Sequence, residues 1–325
     1  MTEVGDATID EIFGARCKRR EPLAKHGSLR IGGPAAYWIE AHDVEELQRA
    51  RRFAEDNGLP LVLVGLGSNV LFPDEGIEGV VVRLAGDFGS WSVEPQDGDE
   101  ALVSIGAGAL NAHLVRGLLK EGWTGMEFLV LIPGTFGGAV VMNAGTRETE
   151  LSSVLERVEL FAPQEPRMVT VLDATQIEMT YRHTELPEGS VVTGGVIRVR
   201  RGDTDAAWER VKADKERRNE TQPYRLASVG STFANPEGDY AGRLIEAVGL
   251  KGHRVGGARV SPLHANFFIN EDDATAADFV ELMATARVRV RQRFGIELRP
   301  EVRFVGFDGW ARLLATEQKI EKQGC

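Results

Sequence analysis

The chain alternates between stretches whose apolar residues recur at helical spacing and stretches that read as strands. Across 43–57, Val44, Leu47, Ala50 and Ala54 share one face, Asp43 can accept from the first turn and Gly58 stands past the end, which predicts a capped helix. Across 275–293, Phe279, Met283, Ala286 and Val290 make a second such face. Residues 111–121 and the strongly charged 203–218 also read as helices, the latter connecting to a third unit. Runs that alternate or are rich in β-branched residues, at 59–64, 79–84, 101–105, 154–161, 167–172 and 190–200, predict strands. The polar stretch 86–100 follows neither period and is taken as a domain seam. The order is mixed, without a fixed-period repeat, and predicts an α+β protein in three segments, 1–85, 86–202 and 203–325.

A length of 325 residues exceeds what one hydrophobic core usually serves, which agrees with that division. With 42% hydrophobic and 27% charged residues the chain should be globular. A net charge of −11 argues against sequence-independent nucleic-acid binding, which needs Lys and Arg to displace counterions. An anionic ligand therefore needs backbone N–H groups or locally gathered positive charge. Cys17 and Cys325 give neither a disulfide framework nor a cysteine metal site, and no spacing of His, Cys, Asp and Glu suggests a metal. Residues 1–13 are acidic without an apolar run, and no apolar stretch is long enough to span a membrane. The chain reads as cytoplasmic, with no obligate protein partner evident.

Candidate chemistry lies in the glycines. Gly65-Leu66-Gly67-Ser68-Asn69 follows a predicted strand and resembles the start of a dinucleotide fingerprint, but Val70 stands where the third glycine belongs. The residues after it are turn-like, whereas a Rossmann site needs a helix N-terminus there, so that motif is rejected. The other option is a phosphate-bearing cofactor held by backbone N–H groups from several turns: 65–69, Gly106-Ala107-Gly108 and the Gly- and Pro-rich 133–145, with polar Asn143 inside it. Any one of these glycines is more often a simple strand terminator; for 133–145 the odds reverse. Downstream, 226–236 carries Ser231, a hydroxyl able to donate a proton, and the amide Asn235. A phosphate-bearing cofactor in one half and proton chemistry in another suggest a redox enzyme.

Taken together in order, these residues resemble the UDP-N-acetylenolpyruvoylglucosamine reductase family. The resemblance is carried by 26–35 (HGSLRIGGPA), 65–71, 132–145, Tyr181-Arg182, Thr221-Gln222-Pro223, 230–236, His264-Ala265-Asn266-Phe267 and Glu301-Val302, and covers nearly everything from Pro22 to Gly306. It implies a two-domain FAD-binding fold of the PCMH/vanillyl-alcohol-oxidase type followed by a C-terminal α+β substrate domain. It implies non-covalent FAD, NADPH as electron donor, and reduction of UDP-N-acetylglucosamine enolpyruvate to UDP-N-acetylmuramate in peptidoglycan precursor synthesis. In that chemistry hydride from reduced flavin adds at C3 of the enol ether, negative charge spreads over C2 and the carboxylate, and C2 then takes a proton. Residue by residue, the resemblance implies Arg182 as the electrophilic clamp, Ser231 as the acid at C2 and Glu301 as a helper at the enol stage. It also implies Gln222 and Asn235 as substrate contacts beside Arg182 and Ser231. For the cofactor it implies Gly65, Leu66, Gly67, Ser68, Asn69, Val70, Leu71, Gly108, Ile132, Pro133, Gly134, Thr135, Gly137, Gly138, Ala139, Asn143, Ala144 and Gly145.

Each of these has a plainer reading on its own. Arg182 at a strand end would be a surface ion-pair partner, Ser231 beside Gly230 a tight turn, and Glu301 a solvated strand residue. His264 in its apolar run reads as a buried, hydrogen-bonded histidine, and Arg287, Arg289, Arg291 and Arg293 as a solvated helix face. Thr146-Arg147-Glu148 departs from the family's usual small residue, tyrosine and glycine, while Thr184 keeps a hydroxyl two places after Arg182. The short segment after Arg182 resembles the subclass without a tyrosine lid. The tail beyond Gly306 has no counterpart, though Trp310, Leu313 and Leu314 could dock it as a short helix. Two other functions stay open: a covalent-flavin oxidase of the same wider fold, and a non-catalytic flavin or sugar-nucleotide binder. Neither His42 nor His113 lies in the 65–69 turn, which argues against the oxidase; the joint presence of Arg182, Ser231 and Glu301 argues against the binder.

Overall fold

Asp43 caps its helix as its position predicts: the side chain accepts from the Glu46 N–H at 2.8 Å, and Leu47, Ala50, Phe53 and Ala54 of Val44–Asp56 (α1) are buried. The computed structural model describes residues 9–146, 148–162 and 169–323. Arg147, Cys325 and the start of the strand expected at 167–172 lie outside the described residues. Strands Cys17–Pro22 (β1), Pro34–Ala41 (β2), Leu61–Leu63 (β3) and Ile77–Leu84 (β5) form a sheet in the order β1-β2-β5-β3, with β3 and β5 parallel. Val70–Leu71 (β4) pairs in parallel with Arg303–Phe304 (β18). The chain divides into two compact units.

The first unit comprises Met1–Arg19, Tyr37–Leu66 and Gly79–Lys215. Its larger sheet runs β10-β9-β13-β7-β6, all antiparallel, from Trp91–Pro95 (β6), Glu100–Gly106 (β7), Leu155–Phe161 (β9), Val169–Asp173 (β10) and Val191–Arg201 (β13), with Trp123–Thr124 (β8) on the end of β13. Asn111–Lys120 (α2) and Phe136–Val141 (α3) cover it: Leu114, Leu118, Phe136 and Val140 share a core with Val103, Ile105, Val158 and Ile197. Residues 86–100, expected to be irregular, contain β6, with Trp91 opposite Ile105 and Val93 opposite Val103. Only those two side chains turn inward on this edge strand, too few to show a period against Ser92 and Glu94. A hairpin of Met179–Thr180 (β11) and His183–Thr184 (β12) follows, and Thr204–Thr221 (α4) carries the chain out of the unit.

The second unit comprises Arg20–Ala36, Gly67–Glu78 and Glu216–Cys325. Its sheet has the order β14-β17-β16-β15, from Ala227–Ser231 (β14), Arg254–Val255 (β15), Ala258–Val260 (β16) and Phe267–Asn270 (β17), with Ala241–Ala247 (α5) between the first two in sequence. The long helix Ala276–Phe294 (α6) lies in the core. Phe279, Met283, Ala286 and Val290, the face read from the sequence, are fully buried, each large side chain contributing roughly 1.5–3 kcal/mol by its burial. Phe279 meets Phe268 edge to face at 5.9 Å, and Phe268 meets Phe233 at 5.8 Å. Thr275 and Asp278 cap α6 reciprocally, and the Asp74 carboxylate accepts from the Ala276 and Ala277 N–H groups at 2.6 and 3.1 Å.

The tail forms Gly309–Lys322 (α7), which packs on α6 with Leu313 buried while Trp310 and Leu314 stay exposed. This overturns one expectation. Arg287 is not on a solvated face: it is buried against Glu317 of α7, because a carboxylate from a distant helix neutralises it.

Candidate functional site

In the first unit Gly65 and Leu66, which open the first glycine turn, meet the other two turns. A Cβ on Gly65 would stand 2.7 Å from Thr135 Oγ1, and one on Gly137 would stand 2.8 Å from the Ala107 Cβ, so each glycine is required by close approach. Hydrogen bonds join the second and third turns: Phe136 N–H to the Ala109 carbonyl and Gly137 N–H to the Ala107 carbonyl, both at 2.8 Å, and Asn111 N–H to the Gly134 carbonyl at 3.1 Å. Thr135 caps α3 by accepting from Gly138 N–H at 3.4 Å. The first amides of α3 are therefore spent on protein groups. By contrast the N–H groups of Gly65, Leu66, Gly134 and Thr135 donate to no protein acceptor among the described residues. Such donors on neighbouring turns fit a diphosphate better than a helix terminus does here. Ile132 is half-buried, Pro133 and Gly138 are exposed, and the Ala139 and Ala144 side chains are in the core. Gly108 is fixed by the backbone crowding it, the Leu84 carbonyl lying 2.6 Å from its would-be Cβ.

The next residues of the same unit fix Arg182. Tyr181-Arg182 forms the two-residue turn between β11 and β12, with Arg182 at φ +61°, a left-handed conformation that costs a non-glycine residue about 1 kcal/mol. Its Nη2 donates to the Gly145 carbonyl at 2.9 Å, Nη1 lies 3.6 Å from Glu150 Oε1, and the guanidinium sits over the Tyr181 ring at 4.7 Å. Glu150 Oε2 in turn accepts from Asn143 Nδ2 at 3.0 Å. Asn143, buried at φ +39°, also donates to the Thr180 carbonyl at 3.1 Å and accepts from Ser152 N–H at 3.0 Å. Both its amide hydrogens are thus committed within the protein, and its side chain acts as a bracket for the arginine turn. Thr184 is buried and donates to the Val140 carbonyl at 2.5 Å. Glu150 escaped the sequence reading; its signal, a β-bridge with Gly145, exists only in the folded chain.

The second unit holds Ser231, Glu301, Asn235, Gln222 and 67–71. The β14–β17 ladder loses register between Ser228 and Ser231, and Gly230 takes φ +76° there with open space around its would-be Cβ. This irregularity re-aims Ser231, which is half-buried, with no protein partner for its hydroxyl among the described residues. Glu301 arrives beside it: its N–H donates to the Thr232 carbonyl at 2.9 Å, Ala234 N–H donates to the Arg299 carbonyl at 2.9 Å, and Phe233 bridges Pro300. Asn69 Nδ2 holds the Glu301 carbonyl at 3.0 Å, while Leu71 is a core residue and Val70 opposes Arg303. Gly67 is obligatory, with φ +68° and the His26 carbonyl 1.9 Å from a would-be Cβ. Ser28 ties this loop to β14, donating to the Ser228 carbonyl at 2.6 Å.

Asn235 is exposed; its Oδ1 accepts from Ala241 N–H at 3.1 Å at the start of α5, and its Nδ2 donates to no protein acceptor among the described residues. Gln222 is half-buried at the end of α4. His264 accepts through Nδ1 from Asn266 N–H at 3.2 Å, and burial, aided by Lys251, holds its pKa below the ordinary histidine value, consistent with a neutral structural ring. Among the described residues no helix is long and apolar enough to cross a membrane.

Two sequence profiles match the chain. An FAD binding domain matches 35–166, which contains all three glycine turns, Asn143 and Glu150. The C-terminal domain of UDP-N-acetylenolpyruvoylglucosamine reductase matches 222–305, which contains Ser231, Asn235 and Glu301. A UDP-N-acetylenolpyruvoylglucosamine reductase from Anaeromyxobacter dehalogenans strain 2CP-C is 46% identical over 288 residues, 89% of this chain and 85% of the relative. One from Methylococcus capsulatus is 45% identical over 88% of this chain and 92% of its own length. The crystal structure of the reductase from Thermus caldophilus superposes with a TM-score of 0.75 at 36% identity, covering 89% of this chain and 98% of that one.

Proposed function

The chain belongs to the UDP-N-acetylenolpyruvoylglucosamine reductase family, and we propose that it uses NADPH to reduce UDP-N-acetylglucosamine enolpyruvate to UDP-N-acetylmuramate. Non-covalent FAD, when bound, supplies the hydride carrier between the nicotinamide and C3 of the enol ether. The free N–H groups of Gly65, Leu66, Gly134 and Thr135 would hold its diphosphate. In this reading 1–85 and 86–202 form the FAD-binding half and 203–325 the substrate half, working in the cytoplasm without a metal or an obligate partner.

The protein's own groups handle the charge and the proton. Arg182, already seated on the Gly145 carbonyl and Glu150, meets the negative charge that develops over C2 and the substrate carboxylate without reorganising at that moment. Ser231 Oγ delivers the proton to C2, Glu301 assists at the enol stage, and Asn235 Nδ2 and Gln222 contact the substrate. What supports this most directly is the pairing of 299–301 with 232–234, two segments distant in sequence whose backbones carry Glu301 and the neighbour of Ser231. Incubation with NADPH and the enolpyruvyl sugar nucleotide is expected to consume both in equal amounts and yield a lactyl ether two hydrogens heavier. NADPH consumption without that product would remove the substrate assignment.

A further inference from the structure

The last helix reaches the segment that carries Glu301 through one buried ion pair. Glu317 of α7 and Arg287 of α6 are each 3% exposed. Arg287 Nε donates to Glu317 Oε1, and its Nη1 donates to the Leu298 carbonyl. Arg291 Nη1 braces the other Glu317 oxygen at 2.9 Å, and the Arg287 guanidinium lies 5.0 Å from the centre of the Trp310 ring, also on α7. From Leu298 the chain runs directly into Arg299, Pro300 and Glu301, which pair with Ala234, Phe233 and Thr232.

A buried ion pair is a poor device for stability, since apolar residues of similar volume often serve as well. What apolar residues cannot supply is a donor to the Leu298 carbonyl. Arg287 supplies it, and Glu317 makes a buried guanidinium tolerable at that place.

We propose that α7 is a positioning element for Glu301: Glu317 fixes Arg287, and Arg287 fixes the register of 298–301 against 232–234. Glu317 and Arg287 are positioning residues that touch no substrate. The proposal rests on the reading of Glu301 as a helper at the enol stage.

The test uses the full-length holoenzyme with the double replacement Arg287→Met with Glu317→Leu, which removes the tether without leaving a buried charge. The step that consumes the enolpyruvyl substrate is expected to slow about 10- to 100-fold, the usual cost of a group displaced by about an ångström, with its KM nearly unchanged. Flavin reduction by NADPH should be unaffected, and amides in 299–303 should exchange hydrogen faster. In a Glu301→Gln background the double replacement should add almost nothing, because both act through one group. An undiminished rate, or the same fold-loss in both backgrounds, would overturn the proposal. If the apolar pair does not fold, Glu317→Gln replaces it, with a smaller loss and the same non-additivity expected; additive loss there overturns the proposal equally. Should Glu301→Gln alone turn over at the wild-type rate, the Glu301 reading fails and the proposal with it, a result visible in that single variant.

Discussion

Exchange of Ser231 for alanine is expected to leave flavin reduction by NADPH at the wild-type rate and to slow formation of the lactyl ether by about 10²- to 10⁴-fold, the usual contribution of a positioned general acid. The backbone at this position is set by its neighbour, Gly230 at φ +76°, and by the broken β14–β17 register. Alanine should therefore keep the fold and lose only the hydroxyl. Stopped-flow absorbance of the flavin separates the two half-reactions: reduction should be normal and substrate-dependent reoxidation slow. Reoxidation at the wild-type rate would assign the proton to another group.

Arg182→Met is the second large effect. Removing a preorganised cation from the place where charge develops is expected to slow the same reoxidation about 10²- to 10³-fold. Arg182→Lys should recover only part of this, since a lysine cannot bond the Gly145 carbonyl and approach Glu150 with a planar fork. Both variants keep a non-glycine residue at φ +61°, so the strain of the turn is unchanged and thermal midpoints should stay close to wild type. Single-turnover rates at saturating substrate are the measurement; no loss in Arg182→Met would leave this arginine as an ion-pair partner of Glu150.

The sequence displayed those parts of the structure that depend on local period and local steric need. The α1 and α6 faces were legible because a helix repeats its burial every three or four residues. The turns at 65, 106–108 and 133–138 were legible because only glycine permits such close approach. Strand β6 was not, since an edge strand with two inward residues carries almost no pattern. The burial of Arg287 is not legible in sequence, because its partner lies on another helix and no local signal distinguishes a paired guanidinium from a solvated one. Glu150 shows the same limit, since Arg182 and Asn143 reach it only in the folded chain. Motif resemblance pointed to Asn143 and Asn69 as cofactor contacts, and only the folded chain shows that their side chains bond to Glu150, Thr180 and Ser152 and to the Glu301 carbonyl.

Under the proposed function this chain passes electrons from NADPH, through FAD, to an enolpyruvyl sugar nucleotide. The visible spectrum of the purified protein, followed anaerobically through additions of NADPH and then of UDP-N-acetylglucosamine enolpyruvate, tests it most directly. An oxidised flavin, released by acid denaturation, is expected to bleach with NADPH and regain its colour with the sugar nucleotide. A flavin that bleaches but stays reduced would remove the substrate assignment, and a colourless protein that takes up no added FAD would rule out flavin chemistry altogether.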